Sequence, residues 1–151
     1  MNKATIVSAL FNIEREVMDG RPWEEYLKWF DIFLKLKTPM VLFVTEDLVE
    51  FIDERRKDIP TEVVVQTTED IPYFHLHDQI QEVLDSENYK EKISDPDRIE
   101  CNHAMYSVIQ YSKFPWMKKA VELNPHDSDV FIWLDAGGSR FFGDFDLENE
   151  F

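Results

Sequence analysis

The sequence predicts an α/β fold, a mostly parallel central sheet covered by helices, and three observations carry that prediction. Short apolar runs without turn residues recur at Ala4 to Phe11, Met40 to Thr45 and Asp129 to Asp135. Between them, apolar side chains return at three- and four-residue steps, the period of a helix with one buried face. The joints are short, and parallel neighbours need a crossover that is normally a right-handed helix.

The elements follow in order. Ala4 to Phe11 reads as a strand buried on both faces. Asn12 to Gly20 is polar and closes on the turn signal Asp19-Gly20. Pro22 stands where a helix takes its first residue, and the stripe Trp23, Tyr26, Leu27, Phe30, Phe33, Leu34 and Lys37 predicts a helix from there to about Lys37, stopped by Thr38-Pro39. A second strand, Met40 to Thr45, leads to a helix over Glu46 to Lys57 and a third strand over Thr61 to Gln66. Thr67 to His77, interrupted by Pro72, reads as a surface loop, and Asp78 to Lys92 as a helix with the thin stripe Ile80, Val83 and Leu84. After Asp95-Pro96-Asp97 a helix capped by Asn102 is expected to reach Ser112, and Pro115 to start another that ends before Asn124-Pro125. The last strand, Asp129 to Asp135, is almost wholly apolar and runs into Ala136-Gly137-Gly138-Ser139-Arg140.

Composition bounds the function. At 151 residues with 44% hydrophobic content the chain can bury a core as one domain, which excludes disorder. Its formal charge of −15 repels phosphate backbones and anionic lipid unless the cations are gathered in one place, so neither nucleic acid nor a membrane surface is an expected partner. One cysteine, Cys101, permits no internal disulfide and no multi-thiolate zinc site, which suits a reducing compartment and an inert thiol. The apolar run at Met1 to Phe11 is too short for a signal sequence or a membrane span, so a cytoplasmic protein without membrane insertion is expected.

Ligands of open α/β sheets bind beyond the carboxyl ends of the strands, where loop amides and helix N-termini converge. Among the strand ends here only the last joins an acid to a glycine pair. An aspartate at the tip of an apolar strand needs water, a cation or donors, so Asp135 asks for a partner. A divalent ion shared with a diphosphate is one candidate, with Gly137 and Gly138 letting backbone approach the ligand and Arg140 neutralising phosphate charge. The alternative is that Asp135 caps a turn and Arg140 forms a surface ion pair. Arg15, Arg21 and Lys113 are cations beside element ends that could meet a phosphate. His75-x-His77 lacks a third zinc ligand at a familiar spacing, His103 and His126 stand alone, and the series Trp23, Tyr26, Trp29, Phe30 and Phe33 is at core-packing spacing. The chain has no phosphate-binding Walker loop, G-x-G-x-x-G, G-x-S-x-G or H-E-x-x-H motif. A dehalogenase-like phosphatase would want an acid at position 137, which is glycine.

Four stretches together resemble a known family: Ala4-Thr5-Ile6-Val7-Ser8-Ala9; Tyr26-Leu27-x-Trp29-Phe30 leading to Pro39-Met40-Val41-Leu42-Phe43; Ser112-Lys113-Phe114; and Phe131-Ile132-Trp133-Leu134-Asp135-Ala136-Gly137-Gly138-Ser139-Arg140. They look like the HtrL/YibB (WlaTC) family, associated with bacterial surface-polysaccharide loci and similar to glycosyltransferases. The resemblance spans nearly the whole chain and implies a Rossmann-like, three-layer GT-A fold. It further implies transfer of a sugar from a nucleotide-sugar donor to a glycan acceptor in polysaccharide biosynthesis, with Mn²⁺ or Mg²⁺ at an Asp-x-Asp motif. Asp135 matches the first acid of that motif and the metal ligand; Gly137 stands in place of the second. Carried over in the same way, Ala9, Phe11 and Asn12 line the nucleoside pocket, Arg15 and Lys113 lie near the diphosphate, and Ala136, Gly137 and Arg140 complete the donor site, with no catalytic residue assigned. The resemblance also implies that residues 1–151 form one donor-binding domain, cut short after the Asp135 strand. The closing run from Phe141 to Phe151 would then leave an exposed edge or apolar patch that favours self-association. A non-catalytic nucleotide- or glycan-binding domain is the rival reading, and a structural domain with Asp135 fully paired to a protein cation a third.

Overall fold

The computed structural model describes residues 3–143. Four strands, β1 (Ala4–Leu10), β2 (Met40–Val44), β3 (Thr61–Val65) and β4 (Val130–Trp133), form one sheet in the order β3-β2-β1-β4 with every neighbour parallel. The chain winds outward from β1 through β2 to β3 and then returns to place β4 on the other side of β1. The strand order therefore reverses between β1 and β4, the point at which open α/β sheets form their ligand crevice.

Helices cover both faces, which makes three layers and a Rossmann-like α/β fold. Helix α2 (Trp23–Phe33) and helix α3 (Val49–Arg55) lie on one face. There Phe30, Phe33, Leu34 and Ile52 are fully buried against Ile6, Leu10, Met40, Leu42 and Val44. Each such side chain stabilises the fold by about 2 kcal/mol. On the other face helix α6 (Ala104–Leu123) packs Met105, Val108, Trp116 and Ala120 onto Val7, Phe11, Val41 and Phe43. Trp116 is its largest fully buried side chain; it stacks on Phe11 (5.5 Å) and Trp133 (6.1 Å), and its indole N–H donates to Gln66 Oε1 at 2.9 Å.

Several expectations need correction. The polar stretch before Gly20 contains a one-turn helix, α1 (Arg15–Asp19), entered through Glu14 in the left-handed region (φ 60°) and closed by Gly20 at φ 80°. The Asp19-Gly20 signal marks the end of a helix here, glycine being the residue that takes the left-handed closing position. Helix α2 ends at Phe33, before Lys37, which is exposed while Leu36 is buried. The helix expected over Asp78 to Lys92 is two, α4 (His77–Asp85) and α5 (Glu87–Lys90), because Ser86 turns extended and its hydroxyl accepts from the Tyr89 N–H to cap the second.

His103, not Asn102, precedes α6, and Pro115 lies inside that helix without dividing it. The carbonyl deprived of a donor by Pro115 belongs to Tyr111, whose residue is exposed, so water can serve it. Strand β4, apolar along its length, is a sheet edge. Val130 and Ile132 share the α2 face with their partners Ala4 and Ile6 yet stay 38% and 48% exposed, because among the described residues no helix lies over them. Residues 144–151, on which the expectation of an unfinished end rests, lie outside the described residues. None of the described helices is long and apolar enough to cross a membrane.

Candidate functional site

A cleft of about 1060 Å³ opens beyond the carboxyl ends of β1 and β4. All nine predicted site residues, Ala9, Phe11, Asn12, Arg15, Lys113, Asp135, Ala136, Gly137 and Arg140, line it. They come from three stretches that the fold draws to one end: the β1–α1 connection, the middle of α6 and the segment after β4.

The centre of the site follows from strand alternation. Residues 133 and 135 project to the same side, so the Trp133 indole N–H donates to Asp135 Oδ1 at 2.8 Å. The same oxygen takes the Lys113 ammonium at 2.9 Å. Lys113 Nζ lies 5.7 Å from the centre of the Trp133 ring, and its side chain is only 22% exposed against 62% for Asp135. Ser112, buried beside it, accepts the Tyr73 N–H at 3.2 Å and anchors this turn of α6 to the preceding loop. Burial pushes the Asp135 carboxyl up. The hydrogen bonds from Lys113 and Trp133, with the charges of Lys113 and Arg140, outweigh it and hold the group below the ordinary carboxylate range. Asp135 is thus paired through Oδ1, while the exposed carboxylate still turns toward the cleft.

The glycine pair shapes the turn that follows the strand. The chain turns at Asp135 to Gly138, closed by the Gly138 N–H to the Asp135 carbonyl at 2.8 Å. Gly137 has an ordinary φ of −85°, and a Cβ there would stand 3.4 Å from Trp29 Cε3 and 3.8 Å from Tyr26. The bare side of Gly137 therefore faces α2. The next residue, Ser139, is buried and donates to the Trp29 carbonyl at 2.6 Å, which docks the turn on α2.

Charge is redistributed at this end. Five of the chain's 16 Lys and Arg residues line the cleft with six of its 31 Asp and Glu, so its walls are nearly balanced in a chain of −15. Arg15 is committed: it is paired with Asp19 and lies 5.6 Å from the Tyr106 ring, and the hydrogen bond to Asp19 raises its pKa. Arg21 and Arg140 both sit over Trp29, at 5.6 and 4.8 Å from the ring, and among the described residues neither pairs with a carboxylate. Phe11 is buried against Trp116 and supports the wall from behind, whereas Asn12 is exposed and its side chain accepts the Glu14 N–H at 2.9 Å.

Sequence reasoning missed Trp29, which read as core in the helical aromatic series, and Trp133, which counted only as part of the strand motif. It also missed Asp97, Arg98 and Glu100, which line the cleft from the Asp-Pro-Asp segment. The remaining candidates are structural: His77 pairs with Asp78, His126 Nε2 contacts the Met40 carbonyl at 2.9 Å, and Cys101 is buried. Among the described residues no three His, Cys, Asp or Glu side chains converge as a metal site.

Comparison with curated proteins and with solved structures gives no match. A family model described as "Bacterial protein of unknown function (HtrL_YibB)" matches residues 2–145, nearly the whole chain. The strand end, its glycine turn and the α6 lysine all lie inside that span, and the chain belongs to the HtrL_YibB family.

Proposed function

We propose that this chain binds a nucleotide-sugar in the cleft between β1 and β4 and serves transfer of its sugar to a glycan acceptor. The observation that carries the reading is the Lys113–Asp135 pair at the carboxyl end of β4, at the reversal of strand order where α/β sheets take nucleotides. Breaking the bond between the anomeric carbon and the diphosphate leaves charge on the leaving group. Preorganised cations stabilise that charge. The exposed Asp135 carboxylate, an acceptor only, suits the hydroxyls of a sugar.

The divalent ion implied by a GT-A likeness does not fit these residues. One carboxylate stands at the strand end, its Oδ1 already holds an ammonium, and position 137 is a glycine whose bare side faces an aromatic wall. No step is therefore routed through a metal.

A non-catalytic binding domain is the second reading, favoured by Gly137 in place of the second acid. Calorimetric titration of UDP, GDP and their hexose conjugates tests the first: saturable binding of at least one nucleotide is expected, and none in a folded, monodisperse sample overturns it. Release of free sugar from the bound conjugate, followed by proton NMR, separates an enzyme from a binding domain.

A further inference from the structure

Position 137, where an Asp-x-Asp pattern puts its second acid, is a glycine packed against Trp29 and Tyr26, and what stands beside Asp135 is a cation. This inference rests on the donor-site reading above: we propose that the cleft holds the diphosphate of a nucleoside diphosphate on Lys113, Arg140 and Arg21, without a divalent ion, and that Asp135 positions the Lys113 ammonium.

The local geometry supports each part. Lys113 projects from the middle of a 20-residue helix whose adjacent Ser112 is pinned by the Tyr73 N–H, so its stem starts from a fixed point. The Trp133 ring and Asp135 Oδ1 then fix its head at the strand end. A divalent ion bound at Asp135 would meet that ammonium as a like charge within a few ångströms, which is unfavourable unless the ammonium moves away. No second carboxylate stands at position 137, a glycine whose bare side faces Trp29 Cε3.

The arginines complete the argument. Arg21 and Arg140 place two guanidiniums over one indole, at 5.6 and 4.8 Å. Asp19 and Asp135 lie within range of these two charges without pairing with either guanidinium, so both forks keep donors, and guanidinium forks match phosphate oxygens two at a time. Lys113 and Arg140 act on Asp135 together, so both cations reach the same end of the cleft.

The test is calorimetry of UDP, GDP and uridine on the full chain in EDTA, repeated with Mn²⁺. Expected are binding of UDP or GDP in EDTA, a change of less than about threefold on adding Mn²⁺, and binding of uridine at least about tenfold weaker than that of UDP. Lys113→Met should weaken nucleotide binding about tenfold or more while Lys113→Arg keeps most of it. Gly137→Asp should acquire no metal dependence. Circular dichroism checks that the variants fold, and if Lys113→Met does not, a fall in wild-type affinity with added KCl reads the same charge term.

Nucleotide binding that appears only with Mn²⁺ and is lost in Asp135→Asn overturns the metal-free anchor and leaves the donor site standing. Uridine binding as tightly as UDP, or an unchanged dissociation constant in Lys113→Met, also overturns it. No binding of either nucleotide in any condition overturns the donor reading and this inference together.

Discussion

The two edges of the sheet use their cations in opposite ways. At the amino-terminal edge Arg56 is 3% exposed, and among the described residues no carboxylate pairs with it. It donates instead to neutral acceptors: the carbonyls of Leu34 (3.2 Å), Leu36, Thr38 (2.9 Å) and Pro60 (3.3 Å), and Thr61 Oγ1 (2.7 Å). It thereby ties the end of α2 and the entries to β2 and β3 into one corner, and burial lowers its pKa to about 10. At the carboxyl edge Lys113, Arg21 and Arg140 lie over indole rings beside an exposed carboxylate. The first cation is saturated by the fold, while the others line a cleft, Lys113 paired with Asp135 and the two arginines without a carboxylate partner among the described residues. A charge enclosed by carbonyls is a structural strut; a charge set on an aromatic face keeps its capacity for an anion.

The comparison can be broken at either edge. The largest effect is expected for Arg56→Met, which leaves several buried carbonyls without donors and should cost about 3 kcal/mol or more of stability, read from the urea midpoint. Arg56→Lys should recover only part, because an ammonium cannot span the same acceptors. Next, Ser139→Ala removes the tie between the glycine turn and α2 and should cost about 1 kcal/mol, with nucleotide affinity falling as the cleft wall loosens. Lys113→Met should shift the urea midpoint by less than about 1 kcal/mol, the worth of a partly exposed ion pair. Loss of nucleotide binding at nearly unchanged stability would separate the two edges cleanly.

The smallest effect is a pH dependence. Asp135 titrates below the ordinary carboxylate value when folded, so its pair contributes stability that is present above the unfolded value of about 4 and fades as pH falls through the lower folded value. Asp135→Asn should flatten the acid limb of a thermal-melt series slightly. A steeper acid limb in the variant would contradict the assigned sign.

The sheet was legible because its signals are local and redundant. Met40 to Val44 is apolar at every position and buried at every position, and the Phe30-Phe33-Leu34 stripe needs only helical period to be read. Asp135 was legible for a similar reason, an acid where an apolar run ends. What escaped depends on partners distant in sequence. The i,i+4 pair Arg15–Asp19 helps close a helix too short to show a stripe, and Pro115 is tolerated because of which side of α6 meets water. Apolarity alone could not distinguish the central β2 from the edge strand β4, since only neighbours decide what is covered. No local pattern could show that the bare side of Gly137 meets Trp29 and Tyr26, more than a hundred residues earlier.

The placement of the indoles has an optical consequence. All four tryptophans of the chain belong to this end of the molecule: Trp23 and Trp133 line the cleft, Trp116 stacks on Trp133, and Trp29 lies under Arg21 and Arg140. The intrinsic fluorescence of the protein is therefore an unlabelled gauge of the cleft. An anion that draws Lys113 from the face of Trp133 or the guanidiniums from Trp29 changes what quenches those rings, so emission should report occupancy directly, even for ligands whose binding releases little heat.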